Sequence, residues 1–200
     1  MLPTKRVLIA AVAVISAASF TIIAFSRTAD AIELPPVAQE LQSFVQAERA
    51  TAPESVRRFG ERVSERTPYG AADLRASRLL ARGLGVTRAN AYAFPTAGGA
   101  VCLLIDERSY VATCVPHLHD RFGRIAWGIY SGSGVPQTVY GLASDVVTSI
   151  AVETTMGTAR VRLIGNMFHW QATPGTSRED ILALMVTQQD GRVIRVALSR

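Results

Sequence analysis

Lysine is almost missing from this chain: Lys5 is the only one among 21 basic residues, and 200 residues carry just two cysteines and three histidines. So strong an arginine bias reads as genome composition, not as a nucleic-acid signature, and the mild charge balance of the region after residue 31 makes a nucleic-acid partner a poor fit. Cysteines at 102 and 114 alone leave no C-x-x-C pair for redox or zinc-ribbon chemistry, and no lipobox. There is no G-x-S-x-G, so Ser131-Gly132-Ser133-Gly134 reads as a loop, not as a nucleophile elbow. No glycine-rich phosphate loop leads into a helix; Gly83-Leu84-Gly85 follows an expected helix instead. Carboxylates are sparse along the expected strands (Asp106, Glu107, Asp120, Asp145, Glu153), which leaves a glycosidase pair without a signature. Internal repeats and low-complexity linkers are also missing, apart from a tether, 27–36, containing Pro35-Pro36.

What is present is one long apolar run. Val7 to Phe25 is uncharged and almost wholly apolar, preceded by Lys5 and Arg6 and followed by Arg27. As a helix these nineteen residues reach about 28 Å, close to the ~30 Å hydrocarbon thickness of a bilayer. The positive charges before the run predict that the first residues stay in the cytoplasm and that everything after residue 26 is exported. Residues 1–26 are therefore expected to be a cytoplasmic stub and transmembrane signal anchor. The alternative is secretion after cleavage near Ala31, because Ala29-Asp30-Ala31 offers an A-x-A site; nineteen residues, however, exceed the roughly 7–15 of a signal peptide's apolar region. Either outcome places the remaining chain outside the cytosol.

Residues 32–200 carry 18 Arg against 15 acidic residues, a balance of about +3 compared with +5 for the whole chain. The excess is concentrated between Glu48 and Arg88, where nine Arg face five acids. That same stretch, 37–88, reads as helical. Val37, Leu41, Phe44 and Val45 recur at helical spacing, which predicts an amphipathic helix over about 36–50. Thr51 and Glu54 fit a capping box with Pro53 in the first turn, and the helix that follows should bury Val56, Phe59 and Val63. Thr67-Pro68-Tyr69-Gly70 should end it, and a third helix is expected over about 71–82, closed by Gly83.

From Ala89 the periodicity becomes strand-like. Short runs rich in Val, Ile, Thr and aromatics are separated by Thr96-Ala97-Gly98-Gly99, Ser131-Gly132-Ser133-Gly134, Met156-Gly157 and Asp190-Gly191. Asp190-Gly191 signals a type I′ hairpin that would set Met185 against Val196 and Ala183 against Leu198. Nine or ten short strands without intervening helices predict a mostly antiparallel sheet over 89–200, and an α+β chain with a β-sandwich-like or open-barrel core.

Cys102 and Cys114 sit in two strand-like runs joined by Glu107-Arg108-Ser109. With that tripeptide as the loop, Cys102 faces Cys114 directly, and opposed residues of an antiparallel pair have Cβ atoms about 4.5–5.5 Å apart, near the disulfide range. Export favours oxidation; two buried free thiols are the alternative.

The motif nearest to a metal site is His117-Leu118-His119-Asp120, with His169 as a distant third imidazole. Two His at i and i+2 of a strand project to one side and could share one zinc. Solvated loop histidines are the plainer reading. Arg57, Arg58, Arg62 and Arg66 read either as a solvated helix face or as contacts to anionic headgroups or an acidic wall polymer. Trp127, Tyr130, Tyr140, Phe168 and Trp170 read as core, or as the lining of a ligand groove.

Gly99-Ala-Val-Cys-Leu103, Cys114, Val139-Tyr-Gly-Leu142, Asp145-Val-Val147 and Asn166-Met-Phe168 together form a pattern that resembles uncharacterised exported or single-pass membrane proteins of actinobacteria. In that group the middle motif more often reads Val-Tyr-Gly-Leu-Val-Pro-Asp-Gly-Val. Here Ser144-Asp145-Val146 replaces Pro-Asp-Gly, so the turn must be made differently. The resemblance covers about residues 70–198, agrees with an extracytoplasmic β-rich domain and a disulfide, and carries over no site residues. The expectation is therefore a membrane-anchored extracytoplasmic domain with a non-catalytic role, binding a cell-envelope component or partner protein. The alternative is an envelope metal-dependent hydrolase using His117, His119 and Asp120.

Overall fold

The run Val101-Cys-Leu-Leu-Ile105 has no polar face, and the fold is arranged around it. The computed structural model describes residues 34–66 (63–66 for the backbone alone), 68–106, 111–132 and 135–198. All lie within one compact unit, Ile32–Arg200. The apolar run Val7–Phe25, the Ala29-Asp30-Ala31 site, the Glu107-Arg108-Ser109 loop and the side chains of Val63 and Arg66 lie outside the described residues. No helix among those described is long and apolar enough to cross a membrane.

Strands β1 (Arg78–Leu84), β2 (Ala89–Pro95), β3 (Val101–Asp106) and β4 (Val111–Val115) form an antiparallel meander in that order. All five side chains from Val101 to Ile105 are fully buried, so β3 is covered on both faces. Val101, Leu103 and Ile105 pack with residues of a second sheet, including Tyr140, Leu142 and Met167. Cys102 and Leu104 pack instead with Val56 and Phe59 of helix α2 (Glu54–Arg66). Alternation along one strand thus places each residue in one of two cores.

The second sheet has the order β5 (Ile125–Gly132), β6 (Val135–Ala143), β10 (Met167–Gln171), β9 (Arg162–Ile164). The third has the order β12 (Val193–Ala197), β11 (Ile181–Gln188), β7 (Val147–Thr154), β8 (Gly157–Arg160). Strand β6 repeats the division seen in β3: Tyr140 and Leu142 join the first sheet's core, whereas Val139 and Ala143 join Ile150, Val152, Leu184 and Val186 of the third. Tyr140 also donates its hydroxyl to Ala112 C=O of β4 (3.3 Å), and burial pushes its pKa up to about 12. Gly141 stands opposite Phe168, whose ring lies where a Cβ would sit, 2.5 Å from its ideal position. The backbone carbonyl of Ala126 lies closer still, so no larger residue fits there without moving β5 as well as the ring. The fold is mostly antiparallel β with few helices, as expected, and eleven strands follow from Ala89 among the described residues, compared with nine or ten from pattern.

The cysteines pair as predicted. Cys102 is registered against Cys114, and the two form a disulfide with Cα atoms 4.0 Å apart, covered by α2.

Four local expectations are corrected. The helix over 36–50 is instead a 3-10 turn, Pro36–Glu40, and a five-residue helix α1 (Gln42–Gln46), broken at Leu41. Val37, Leu41 and Phe44 are buried as predicted, but Val45 is exposed. The break comes from groups distant in sequence. Asp145 accepts the Gln42 N–H (3.0 and 3.1 Å), Asn166 Oδ1 accepts the Ser43 N–H (2.7 Å), and the Asp145 N–H donates to Glu40 C=O (3.0 Å). Asn166 Nδ2 donates to Asp145 Oδ1 (2.8 Å) and Ala143 C=O (3.0 Å), completing a clasp across more than a hundred residues. The turn that leads into β7 is closed by Val147 N–H donating to Ser144 C=O, 3.0 Å.

The third helix is not formed. Residues Leu74–Ala76 make a single 3-10 turn, and strand β1 follows, paired to β2 with two register shifts. Those bulges break the two-residue period, so Leu80, Ala81 and Leu84 all pack toward the second sheet and Leu79 toward α2. Gly83 does adopt a positive φ of 66°, as a helix-ending glycine would, but inside a bulged strand. The second helix begins at Glu54, not after a cap at Thr51.

The β11–β12 hairpin exists with its register moved by one. Leu184 faces Val196 and Ala183 faces Ala197, because Gln188 and Arg192 close a three-residue loop in place of a two-residue turn. The added residue, Gln189, is held from outside: its N–H donates to Val146 C=O (2.8 Å) and its side chain to Asp145 C=O (2.9 Å).

Candidate functional site

The chain before α2 runs along the edge of β1. Leu79 N–H donates to Glu48 C=O (3.2 Å), Ala50 N–H to Ser77 C=O (3.1 Å) and Arg78 Nη1 to Ala47 C=O (3.2 Å), which fixes Arg49 opposite Arg78. The 3-10 turn at Leu74–Ala76 is anchored at Asp73, whose N–H donates to Pro95 C=O (2.8 Å) and whose carboxylate accepts the Arg75 N–H (3.1 Å). The first turn of α2 supplies Arg57. Arg49, Arg57 and Arg75 thereby line one groove of about 430 Å³, together with Ala50, Thr51, Ala52 and Leu74.

Glu54 lies next to these cations. It pairs with Arg57 (3.3 Å) and Arg58 (3.1 Å), and all three side chains are more than half exposed, so each pair contributes no more than about 1 kcal/mol. Arg49 and Arg75 have no carboxylate partner among the described residues. Behind them Arg78 is held below the usual guanidinium range, first by burial and then by repulsion from Arg49, and its Nε is buried without a hydrogen-bond partner. The groove thus carries uncompensated positive charge beside small apolar side chains. Guanidinium groups offer planar, paired donors that match phosphate or carboxylate oxygens.

The helix α2 places Arg57, Arg58 and Arg62 on its exposed side, as anticipated. Arg49 and Arg75 were missed as site residues, since they come from an edge segment and a 3-10 turn. Their only sequence signal was the arginine excess between Glu48 and Arg88.

The histidine motif forms a different corner. Leu118 is fully buried and anchors the loop after β4, and its N–H donates to Glu40 Oε1 (3.3 Å). His119 meets Glu40 Oε1 through Nδ1 (3.0 Å) and Asp120 Oδ1 through Nε2 (3.2 Å). Two carboxylates on one ring call for two ring N–H groups, and the His119 pKa is raised, first by the hydrogen bond to Glu40 and then by the charges of Asp120 and Glu40. Both ring nitrogens are thus engaged by carboxylates in this arrangement. The His117 ring lies 5.4 Å from that of His119. His169 is buried on β10, beside Tyr140 and Arg162, and its Nε2 has no partner. Among the described residues no group of three or more His, Cys, Asp or Glu is placed to hold a metal ion.

Of the remaining candidates, Ser131 donates to Gln137 Oε1 (2.5 Å) within the β5–β6 hairpin, and Glu153 pairs with Arg195 (2.7 Å). Tyr140 and Phe168 are core residues, and Trp127 and Tyr130 pack partly buried against the cores. Trp170 lines a second groove, of about 550 Å³, with Thr158, Gln171 and Asp180.

No protein-family model matches this chain, and no curated protein or solved structure matches it significantly. Cys102, Cys114, Gly141, Asp145, Asn166 and Phe168 have structural tasks here: the disulfide, the Gly141–Phe168 contact and the Asp145–Asn166 clasp.

Proposed function

We propose that the chain is a membrane-anchored extracytoplasmic domain with a non-catalytic role, and that it binds an anionic component of the cell envelope through the arginine groove. In this reading Val7–Phe25 is a single-pass helix with its N-terminus in the cytoplasm, and Ile32–Arg200 is the exported binding unit. The observation that carries it is the convergence of Arg49, Arg57 and Arg75 on one groove, two of them without a carboxylate partner among the described residues. Excess charge of one sign around a concave surface attracts an oppositely charged ligand and loses that attraction as salt screens it.

Two measurements test it. Alkaline phosphatase fused after Arg200 should be active, and a reporter that folds only in the cytosol should be inactive at the same position; the reverse pattern overturns the topology. The purified unit 32–200 should be retained on isolated cell envelopes at low salt and released at high salt. Retention that survives Arg49→Gln with Arg75→Gln unchanged overturns the groove as the binding surface.

A further inference from the structure

We propose that the ligand of the arginine groove is the phosphate of anionic lipid headgroups in the membrane that anchors the chain. This rests on the tethered reading above and names the component bound.

Leu34, Pro35 and Pro36 line a cavity of about 450 Å³ together with Ala71, Ala72 and Asp73. The next two residues, Leu74 and Arg75, line the arginine groove. The entry of the chain into the unit and the groove therefore flank the same short segment, 71–75. Leu34 lies nine residue steps beyond Phe25, and an extended chain spans at most about 3.3–3.6 Å per step, so the tether reaches roughly 30 Å. A membrane-embedded Phe25 would keep this end of the unit close to the headgroup layer, where a single-pass tether raises the effective concentration of lipid over that of any soluble anion.

The chemistry of the groove fits that occupant. Its cations are arginines, whose paired donors match phosphate oxygens, and they stand beside Ala50, Ala52 and Leu74, which suit the apolar glycerol and ester region below a headgroup phosphate. Arg49, Arg57 and Arg75 are exposed, so a flat, extended anionic surface reaches them without rearrangement of the fold. Of the neighbouring carboxylates, Glu54 is taken up by Arg57 and Arg58, and Asp73 accepts the Arg75 N–H.

The test uses the unit 32–200 without its anchor and sedimentation with vesicles. Vesicles containing phosphatidylglycerol should bind it at low salt and pure phosphatidylcholine vesicles should not. Arg49→Gln and Arg75→Gln should each weaken binding roughly fivefold, the size expected for one basic residue near an anionic surface. Arg121→Gln with Arg160→Gln, exposed arginines away from the groove, should cost far less. Unchanged near-ultraviolet circular dichroism identifies folded variants, and exposed positions give no reason for unfolding. Binding that is absent at low salt, or equally weakened by the two control substitutions, overturns the proposal. So does perturbation of the groove by inorganic phosphate while anionic vesicles stay unbound, which would assign a soluble phosphate. Retention on envelopes with no binding to lipid vesicles would overturn the lipid assignment alone and point to a wall polymer, leaving the broader function standing.

Discussion

The first sheet, β1–β4, has two covers, and they are built on different principles. Its inner cover is the second sheet with the segment Val37–Phe44, and Leu41, Phe44, Leu103, Ile105, Leu142 and Met167 are all fully buried there. Its outer cover is the single helix α2, whose fully buried large apolar residue among those described is Val56, with Phe59 half-buried. The inner cover is locked by hydrogen bonds from Asp145 and Asn166 between segments distant in sequence. The outer one has a disulfide beneath it and charged pairs above. Stability is therefore concentrated on the inner side, and the outer side is left to present arginines, a division that separates holding the fold from meeting a ligand.

The largest expected difference is in the cores. Phe44→Ala removes a fully buried ring of the inner cover, and should destabilise the unit by about 3–5 kcal/mol. Phe59→Ala, on the half-buried face of α2, should cost less than half as much. Equal losses, measured by urea unfolding, would mean that the two covers contribute alike.

Removing the disulfide comes next. Cys102→Ser with Cys114→Ser should cost roughly 2–4 kcal/mol and lower the Tm, because the bridge restricts the unfolded chain. Groove binding should be retained by the folded variant. Alkylation of the exported protein without reductant, followed by mass spectrometry, should find neither cysteine modified.

The clasp is smaller and more local. Asn166→Ala leaves the Ser43 N–H and Ala143 C=O without their partner, which costs about 1–3 kcal/mol. The accompanying sign is faster amide exchange at Gln42 and Ser43, with exchange in α2 little changed. Uniform acceleration through both covers would contradict a clasp confined to the inner one.

The smallest effects are two histidine titrations of opposite sign. Burial first, and then the charge of Arg162, lowers the His169 pKa, so the unfolded chain binds a proton more readily there. Stability from this group is complete above the ordinary value of about 6.5 and falls as pH drops from there toward the lowered native pKa. His119 is raised by Glu40, so its contribution is present below about 6.5 and is lost as pH rises through the elevated native pKa. NMR titration of the two rings should find His169 below and His119 above the ordinary value, and Glu40→Gln should move only His119 back.

How far these features could be read from sequence depends on how local their causes are. Strand alternation, the turn glycines and the facing cysteines were legible because neighbouring residues determine them. The helix expected over 71–82 failed because residues 78–84 find backbone partners in β2 instead of in a helical turn of their own. The helix over 36–50 failed because Asp145 and Asn166, more than a hundred residues away, supply better acceptors for the Gln42 and Ser43 N–H groups than the preceding helical turn would. Of the groove, α2 announced Arg57 and the local charge excess hinted at the rest, but nothing in sequence joined Arg49 to Arg75.

By itself the sequence determined the antiparallel β-rich character, the pairing of Cys102 with Cys114 and the apolar residues of each strand, since each follows from patterns a few residues long. Tertiary structure alone decided which core each face of β3 enters, where the N-terminal helix breaks and which arginines share a groove. The physical reason is that hydrogen-bond partners and packing surfaces are chosen among all segments at once, and a backbone group takes the better partner wherever the fold brings one.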